Sequence, residues 1–252
     1  MFSTPLVYST DLAYIHDAGF SDFAARAVPE LVNILSRNGI RRGLVVDVGC
    51  GSGVLAKGLI EAGYDVVGVD VSPAMIRLAR TRVPHGTFRV GSISTFRFPR
   101  CAAVVALNEV ANYVPGRLRA LRRFFARAHD ALLPGGLIVF DFIASAEQRT
   151  YAGKSRSGTD WAVALRAEVD RSGRLLTRHI TTFRRIDGEY RKSSETHRVH
   201  IYDPTEVRRA LIGIGFRVTM RRSYGRLRLL PGDVGVIAEK GRPPRFKGFS
   251  KF

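Results

Sequence analysis

Short apolar runs alternate with amphipathic stretches along most of the chain. Residues 21–39 place Val28, Leu31, Val32 and Leu35 at helical spacing, with Ser21 as a cap, Gly39 as a stop, and Pro29 as a kink or the start of a second helix. A β-branched run over 44–48 then ends in Gly49, Gly51 and Gly53, and Leu55, Leu59 and Ile60 continue as a helix closed by Gly63. Residues 65–69 read as a strand ending in Asp70, after which Ser72 and Pro73 open a helix reaching about Arg82. The alternation goes on through strands at 87–90 and 102–107, a helix over 117–132, and a buried strand at 137–142. Apolar strands separated by helices predict a parallel sheet covered on both faces.

The rhythm changes near residue 146. Trp161, Val163, Leu165, Ala167 and Val169 alternate with polar neighbours, Ser172-Gly173 marks a turn, 175–186 is a second strand, and Asp187-Gly188 leads to a third over 189–202. Residues 146–202 are therefore expected to form a three-stranded antiparallel insertion. Asp203, Pro204 and Glu206 open a further helix, and 216–220 and 234–238 are the last strands. The expected organisation is one domain over 1–252, with its core in 21–145 and 203–240, a cap in 146–202 and a mobile basic tail over 241–252.

Composition narrows the class. A length of 252 residues with 45% apolar and 25% charged residues suits one globular domain and argues against global disorder or a fibre. No apolar run approaches the roughly 20 residues that span a bilayer, and the first ten residues lack a basic start and an apolar signal core. Two cysteines, Cys50 and Cys101, make neither a disulfide scaffold nor a structural zinc site. These features favour a reduced, cytoplasmic protein without a membrane span or a metal. The net charge of +18 attracts polyanions and raises RNA as a partner. Only six of the 40 basic residues are lysines, however, and arginines spread this evenly also arise from the codon usage of a GC-rich genome.

The candidate chemistry lies in Asp47-x-Gly49-Cys50-Gly51-x-Gly53, between a strand and a helix N-terminus. Such a loop lets backbone N–H groups approach a ligand closely. The spacing is G-x-G-x-G, not the G-x-G-x-x-G of dinucleotide binders. A carboxylate at Asp47 would repel a pyrophosphate but suits an ammonium or a sulfonium. Asp70, at the end of the next strand, is placed to accept both hydroxyls of a ribose.

Over roughly 40–145 and 203–239 these motifs resemble the class I S-adenosylmethionine-dependent methyltransferases. The Leu133-Pro134-Gly135-Gly136 turn is similar to the one before that family's fifth strand. The resemblance implies a Rossmann-like, doubly wound, seven-stranded and mostly parallel sheet with the antiparallel insertion after the fifth strand. It implies S-adenosylmethionine as cofactor and S-adenosylhomocysteine as product, without a metal. Gly49 and Gly51 are implied at the amino-acid end and Val71 and Met75 beside the adenine. Ser92 and Ile93 lie where many members carry an acid for the adenine amino group, and Asn108 and Tyr14 are implied at the cofactor's edges.

Methyl transfer from an activated sulfonium needs mainly alignment, and a base only for a protonated acceptor. Glu109, after the fourth strand, and His16 are candidate catalytic groups; Glu109 reads equally as a cap. Tyr113, Glu195 and His197 are candidate acceptor contacts, the last two reading also as a hydrogen-bonded surface pair. The expected function is methyl transfer to a small molecule. RNA methylation and a non-catalytic cofactor-binding module are the alternatives.

Overall fold

A computed structural model describes residues 7–114, 117–147 and 149–241. Helices α1 (Thr10–Phe20) and α2 (Asp22–Arg37) precede strand β1 (Leu44–Val48). There follow α3 (Val54–Glu61), β2 (Asp65–Asp70), α4 (Pro73–Arg82), β3 (Thr87–Val90) and β4 (Cys101–Ala106). After a 3₁₀ turn (Val110–Tyr113) come α5 (Arg117–Ala131) and β5 (Leu132–Ile143), then β6 (Tyr151–Ser157), β7 (Trp161–Val169), β8 (Leu175–Ile186) and β9 (Glu189–His200). The chain continues with α6 (Pro204–Ile212), β10 (Phe216–Arg221), β11 (Ser223–Tyr224), β12 (Leu227–Arg228) and β13 (Asp233–Lys240).

The main sheet has seven strands in the order β10-β13-β5-β4-β1-β2-β3. Pairing is parallel from β3 to β5 and antiparallel where β13 joins β5 and β10. Successive side chains of a strand point to opposite faces, so each strand feeds two cores. Val46, Val104, Ile138 and Phe140 pack with Phe124 and Phe125 of α5 and Leu211 of α6. Val45, Val105 and Val139 pack with Leu31 and Leu35 of α2 and Leu59 of α3. Each such fully buried side chain contributes about 1.5–3 kcal/mol. The expected doubly wound α/β sheet is the one observed.

Several elements differ from expectation. A separate helix, α1, precedes α2, and α2 runs on through Pro29. The insertion has four antiparallel strands, β6-β7-β8-β9, not three, and β9 stops at His200. The small β11–β12 hairpin was also not foreseen. The Asp187-Gly188 turn does join β8 to β9 as expected, both residues adopting positive φ. Of the expected basic tail, residues 242–252 lie outside the described residues.

Helix α1 is wedged between cap and core. Leu12 and Ile15 pack on Trp161, Val163 and Ile180 of the cap, whereas Ala13 packs on Ala74 and Met75 of α4. Its buried Asp11 accepts from Arg191 of β9 (2.8 Å), and the hydroxyl of Tyr14 donates to Asp160 (2.8 Å). A second apolar cluster, Ile143, Leu176, Val199 and Ile201, seats the cap on the end of β5. Both contacts lie beside the C-terminal ends of the parallel strands, where open α/β sheets place their ligands.

Candidate active site

The loop after β1 is built from glycines in left-handed conformations: Gly49, Gly51 and Gly53 have φ of 70, 53 and 79°. A side chain would be strained at each, and one at Gly49 would also collide with Val110. Gly49 and Cys50 donate their N–H groups to the Val69 carbonyl (2.7 and 3.1 Å), which ties the loop to the end of β2. Asp70 completes the tie. Its Oδ2 accepts from Gly51 N (2.9 Å) and its Oδ1 from Ser72 N (2.8 Å). Burial raises the Asp70 carboxyl, and backbone N–H groups of Ser72, Gly51 and Val71 oppose the rise. Ser72 caps α4 by accepting from Met75 N (3.2 Å), while its hydroxyl donates to the Tyr8 carbonyl (2.6 Å).

Asp47 stands at the mouth of this loop, only 2% exposed, and its Oδ2 has no hydrogen-bond partner. Burial, and secondly the charge of Asp70, push its carboxyl up to about 7. An unpartnered buried carboxylate oxygen is costly unless something else meets it. A cleft of about 530 Å³, its mouth included, opens over Asp47, Gly49, Cys50, Gly51, Asn108 and His16. The structure thus brings together the predicted Asp47, Gly49, Cys50, Gly51, Asn108 and His16. Gly53 and Asp70 support the loop from beneath.

At the end of β4, Asn108 and Glu109 also adopt positive φ (68 and 65°). Their N–H groups donate to Oδ2 and Oδ1 of Asp141 on β5 (2.8 and 2.5 Å). Burial pushes the Asp141 carboxyl up to about 7 against those two donors. The Glu109 side chain is bound from both sides, by Arg149 at Oε1 (2.5 Å) and Arg178 at Oε2 (2.6 Å), and Arg149 also pairs with Asp233. Burial would raise the Glu109 carboxyl, but Arg178 and Arg149 outweigh it and hold it below the usual range. A carboxylate so paired is a weak proton acceptor. The expected catalytic role of Glu109 is therefore corrected to that of an anchor for two buried arginines.

His16 lines the cleft, edge-on to Tyr8 (5.2 Å between centroids) and stacked on Phe20 (6.1 Å). Burial pulls its imidazole down to about 4, so it is neutral at neutral pH. Glu195 and His197 are not a surface pair. His197 is 1% exposed, its Nε2 lies 2.8 Å from Glu195 Oε2, and its Nδ1 lies 3.1 Å from the Tyr113 hydroxyl. Glu195 also accepts from the N–H groups of Tyr8 and Ser9 (both 2.8 Å), so it holds the start of the chain against the cap.

The remaining predicted residues do not line the cleft itself. Tyr14 faces the cap, not the cleft, because its hydroxyl is held by Asp160 and Arg184 covers its ring at 3.8 Å. Ser92 Oγ accepts from Ser94 N (3.1 Å) within its own turn, and Ile93 is buried in the core. Val71 is exposed just after β2, and Met75, in the first turn of α4, is buried against Ala13 with its sulfur facing Gly51. Sequence reasoning missed Arg149, Arg178, Asp141 and Asp233. One signal was available for Asp141, a lone acid inside the apolar run from Leu137 to Ile143. Among the described residues no group of three His, Cys, Asp or Glu side chains is placed to hold a metal ion, and no helix is long and apolar enough to cross a membrane.

Residues 45–136 match the family described as a methyltransferase domain. The chain is 32% identical over 165 residues to a trans-aconitate 2-methyltransferase of Methylobacterium radiotolerans, covering 62% of this chain and 60% of that protein. It spans about half the length of the curated relatives it matches. Among solved structures, an S-adenosylmethionine-dependent methyltransferase from Clostridium acetobutylicum aligns with a TM-score of 0.78 at 16% identity, over 90% of this chain and 99% of its own. S-adenosylmethionine-bound CalS10, an amino pentose methyltransferase from Micromonospora echinaspora, aligns with a TM-score of 0.73 at 20% identity, over 95% of this chain and 100% of its own. At these identities the structural likeness is one of fold.

Proposed function

We propose that this chain, which belongs to the class I S-adenosylmethionine-dependent methyltransferases, transfers the cofactor's methyl group to a small-molecule acceptor held between its glycine loop and its cap. The observation that carries the reading is Asp47. A buried carboxylate oxygen without a partner, above a loop of left-handed glycines, fits the cofactor's ammonium and suits no phosphate. When bound, S-adenosylmethionine supplies a methyl group on a positively charged sulfur and leaves S-adenosylhomocysteine.

The chain's own residues bind, orient and exclude water. Asp47 takes the ammonium, and Gly49, Cys50 and Gly51 let the backbone come close. Asp70 uses one site on each oxygen for the loop and α4, and an ionised carboxylate has about four such sites, which leaves capacity for ribose hydroxyls. Val71 and Met75 flank the base, with Ser92 and Ile93 at its edge. Asn108 and His16 border the methyl end. Helix α1 brings His16 and Phe20 to the cleft and packs on the cap behind it, and alignment in a closed site contributes on the order of 7–11 kcal/mol. Both thiols are free and buried, in keeping with a reduced cytoplasmic setting.

The acceptor is read as a small molecule because the relatives include a trans-aconitate 2-methyltransferase and the structural neighbours an amino pentose methyltransferase, and because α1 packs across one side of the cleft. The net charge of +18 favours the second reading, an RNA acceptor. Incubation with methyl-labelled S-adenosylmethionine and a cell extract separates the two. Label is expected in the small-molecule fraction. Label in RNA would replace this reading with the second, and label that stays on unchanged cofactor would leave only a binding module.

A further inference from the structure

We propose that Asp141 is a positioning residue for methyl transfer: it holds the turn after β4 in a left-handed form that keeps Asn108 beside the cofactor's sulfur. This rests on the methyl-transfer reading above and adds to it the residue that sets one wall of the site.

Asp141 stands between Phe140 and Phe142 on β5, 1% exposed, where every other residue from Leu137 to Ile143 is apolar. A buried carboxylate in such a place is costly unless donors meet it. The donors are two consecutive backbone groups, Asn108 N–H at Oδ2 (2.8 Å) and Glu109 N–H at Oδ1 (2.5 Å). Asp141 thus gives one oxygen to each residue of the turn.

The turn needs that hold. Asn108 and Glu109 are successive non-glycine residues with φ of 68 and 65°. Asparagine tolerates the left-handed region, but the longer glutamate does not enter it readily. Successive N–H groups that converge in a turn form a concavity for an anion, and Asp141 is that anion.

The two neighbours then serve different sites. Asn108 lines the cleft with Asp47, Gly49 and Leu107, whereas Glu109 is buried against Arg149 and Arg178. Val110 follows at once and occupies the space that a side chain on Gly49 would need, so the turn abuts the glycine loop. Without Asp141 both residues relax towards the right-handed region, and Asn108 leaves the cleft wall. At that wall its amide dipole faces the positive sulfur of S-adenosylmethionine. S-adenosylhomocysteine has the same adenosine and amino-acid ends but no charge on sulfur, so it is insensitive to the loss.

Calorimetry on the full chain with these two ligands reads the position of Asn108. Asp141→Asn keeps the size of the side chain but turns one acceptor into a donor. It should weaken S-adenosylmethionine on the order of tenfold and S-adenosylhomocysteine less than about twofold. Asn108→Gly keeps the left-handed backbone and removes the side chain. It should shift the ratio of affinities in the same direction, and Asp141→Asn added to it should shift the ratio no further. Equal weakening of both ligands in Asp141→Asn, an unchanged ratio in Asn108→Gly, or full additivity in the double variant would overturn the inference. Wild-type protein labelled with ¹⁵N gives a test that needs no variant to fold. The Asn108 and Glu109 amide protons, bonded to a carboxylate, should resonate downfield and exchange slowly, and ordinary, fast-exchanging amides there would also overturn it. Wild-type protein that binds neither ligand would instead overturn the methyl-transfer reading beneath it.

Discussion

Asp47 and Glu109 occupy equivalent places, one at the end of β1 and the other just beyond its parallel neighbour β4, and they are almost equally buried, at 2% and 6% exposure. Their surroundings are opposite. Glu109 has a guanidinium on each oxygen and a lowered carboxyl pKa; Asp47 has an oxygen without a partner and a carboxyl pushed up to about 7. A buried carboxylate is stable when its charge is matched inside the fold, and it is kept unmatched where a ligand brings the matching charge. The paired acid holds the cap and the β4 loop together. The unpaired one is reserved for binding.

The largest test of this contrast is Glu109→Ala. It strands Arg149 and Arg178, and removing one partner of a buried ion pair costs roughly 3–5 kcal/mol. Urea denaturation should register a loss of that size, and a loss below about 1 kcal/mol would break the comparison. Asp47→Asn should behave in the opposite way. The folded pKa of Asp47 lies above the ordinary 3.8 of an aspartate, so the native state binds more protons and wild-type stability falls as pH rises from about 4 to about 7. The variant escapes this loss and should gain on the order of 2 kcal/mol over wild type near pH 8, with no gain near pH 4. Asp70→Ala stands between the two cases. It leaves the Gly51 and Ser72 N–H groups unsatisfied, so it should cost roughly 1–3 kcal/mol in thermal or urea unfolding as well as weaken cofactor binding. The smallest effect belongs to Tyr14→Phe. It should lose about 1 kcal/mol or less with the Asp160 bond and leave cofactor affinity, by calorimetry, unchanged.

Much of the frame was legible because its signals are local. The β-branched runs, the glycines after residue 48 and the Ser72-Pro73 start each act within a few residues, and the sheet they imply is the one observed. Helix α1 is only weakly legible because it is buried on two sides. Leu12 and Ile15 face the cap and Ala13 faces α4, so no single apolar stripe appears, and its buried Asp11 is matched by the distant Arg191 and Arg184. Strand β6 is an exposed edge strand of mixed glycine, lysine, serine and arginine, which carries no alternation to read. The site divides in the same way. Asp47 and the glycines could be read from spacing, whereas the role of Glu109 depends on Arg149 and Arg178, 40 and 69 residues away, and the burial of His197 on Tyr113, 84 residues away.

The central claim is that Asp47 is held unpaired to meet the cofactor's positive charge, and calorimetry with S-adenosylmethionine across pH tests it most directly. With the Asp47 carboxyl near 7 in the free protein, affinity should climb close to tenfold per pH unit below about 7 and level off above it. Near pH 6 most of one proton should be released per cofactor bound, as read from buffers of different ionisation enthalpy. Asp47→Asn should bind on the order of 100-fold more weakly at neutral pH, about 2.8 kcal/mol, without that proton release. An affinity that is flat across this range and unchanged in Asp47→Asn would contradict the account.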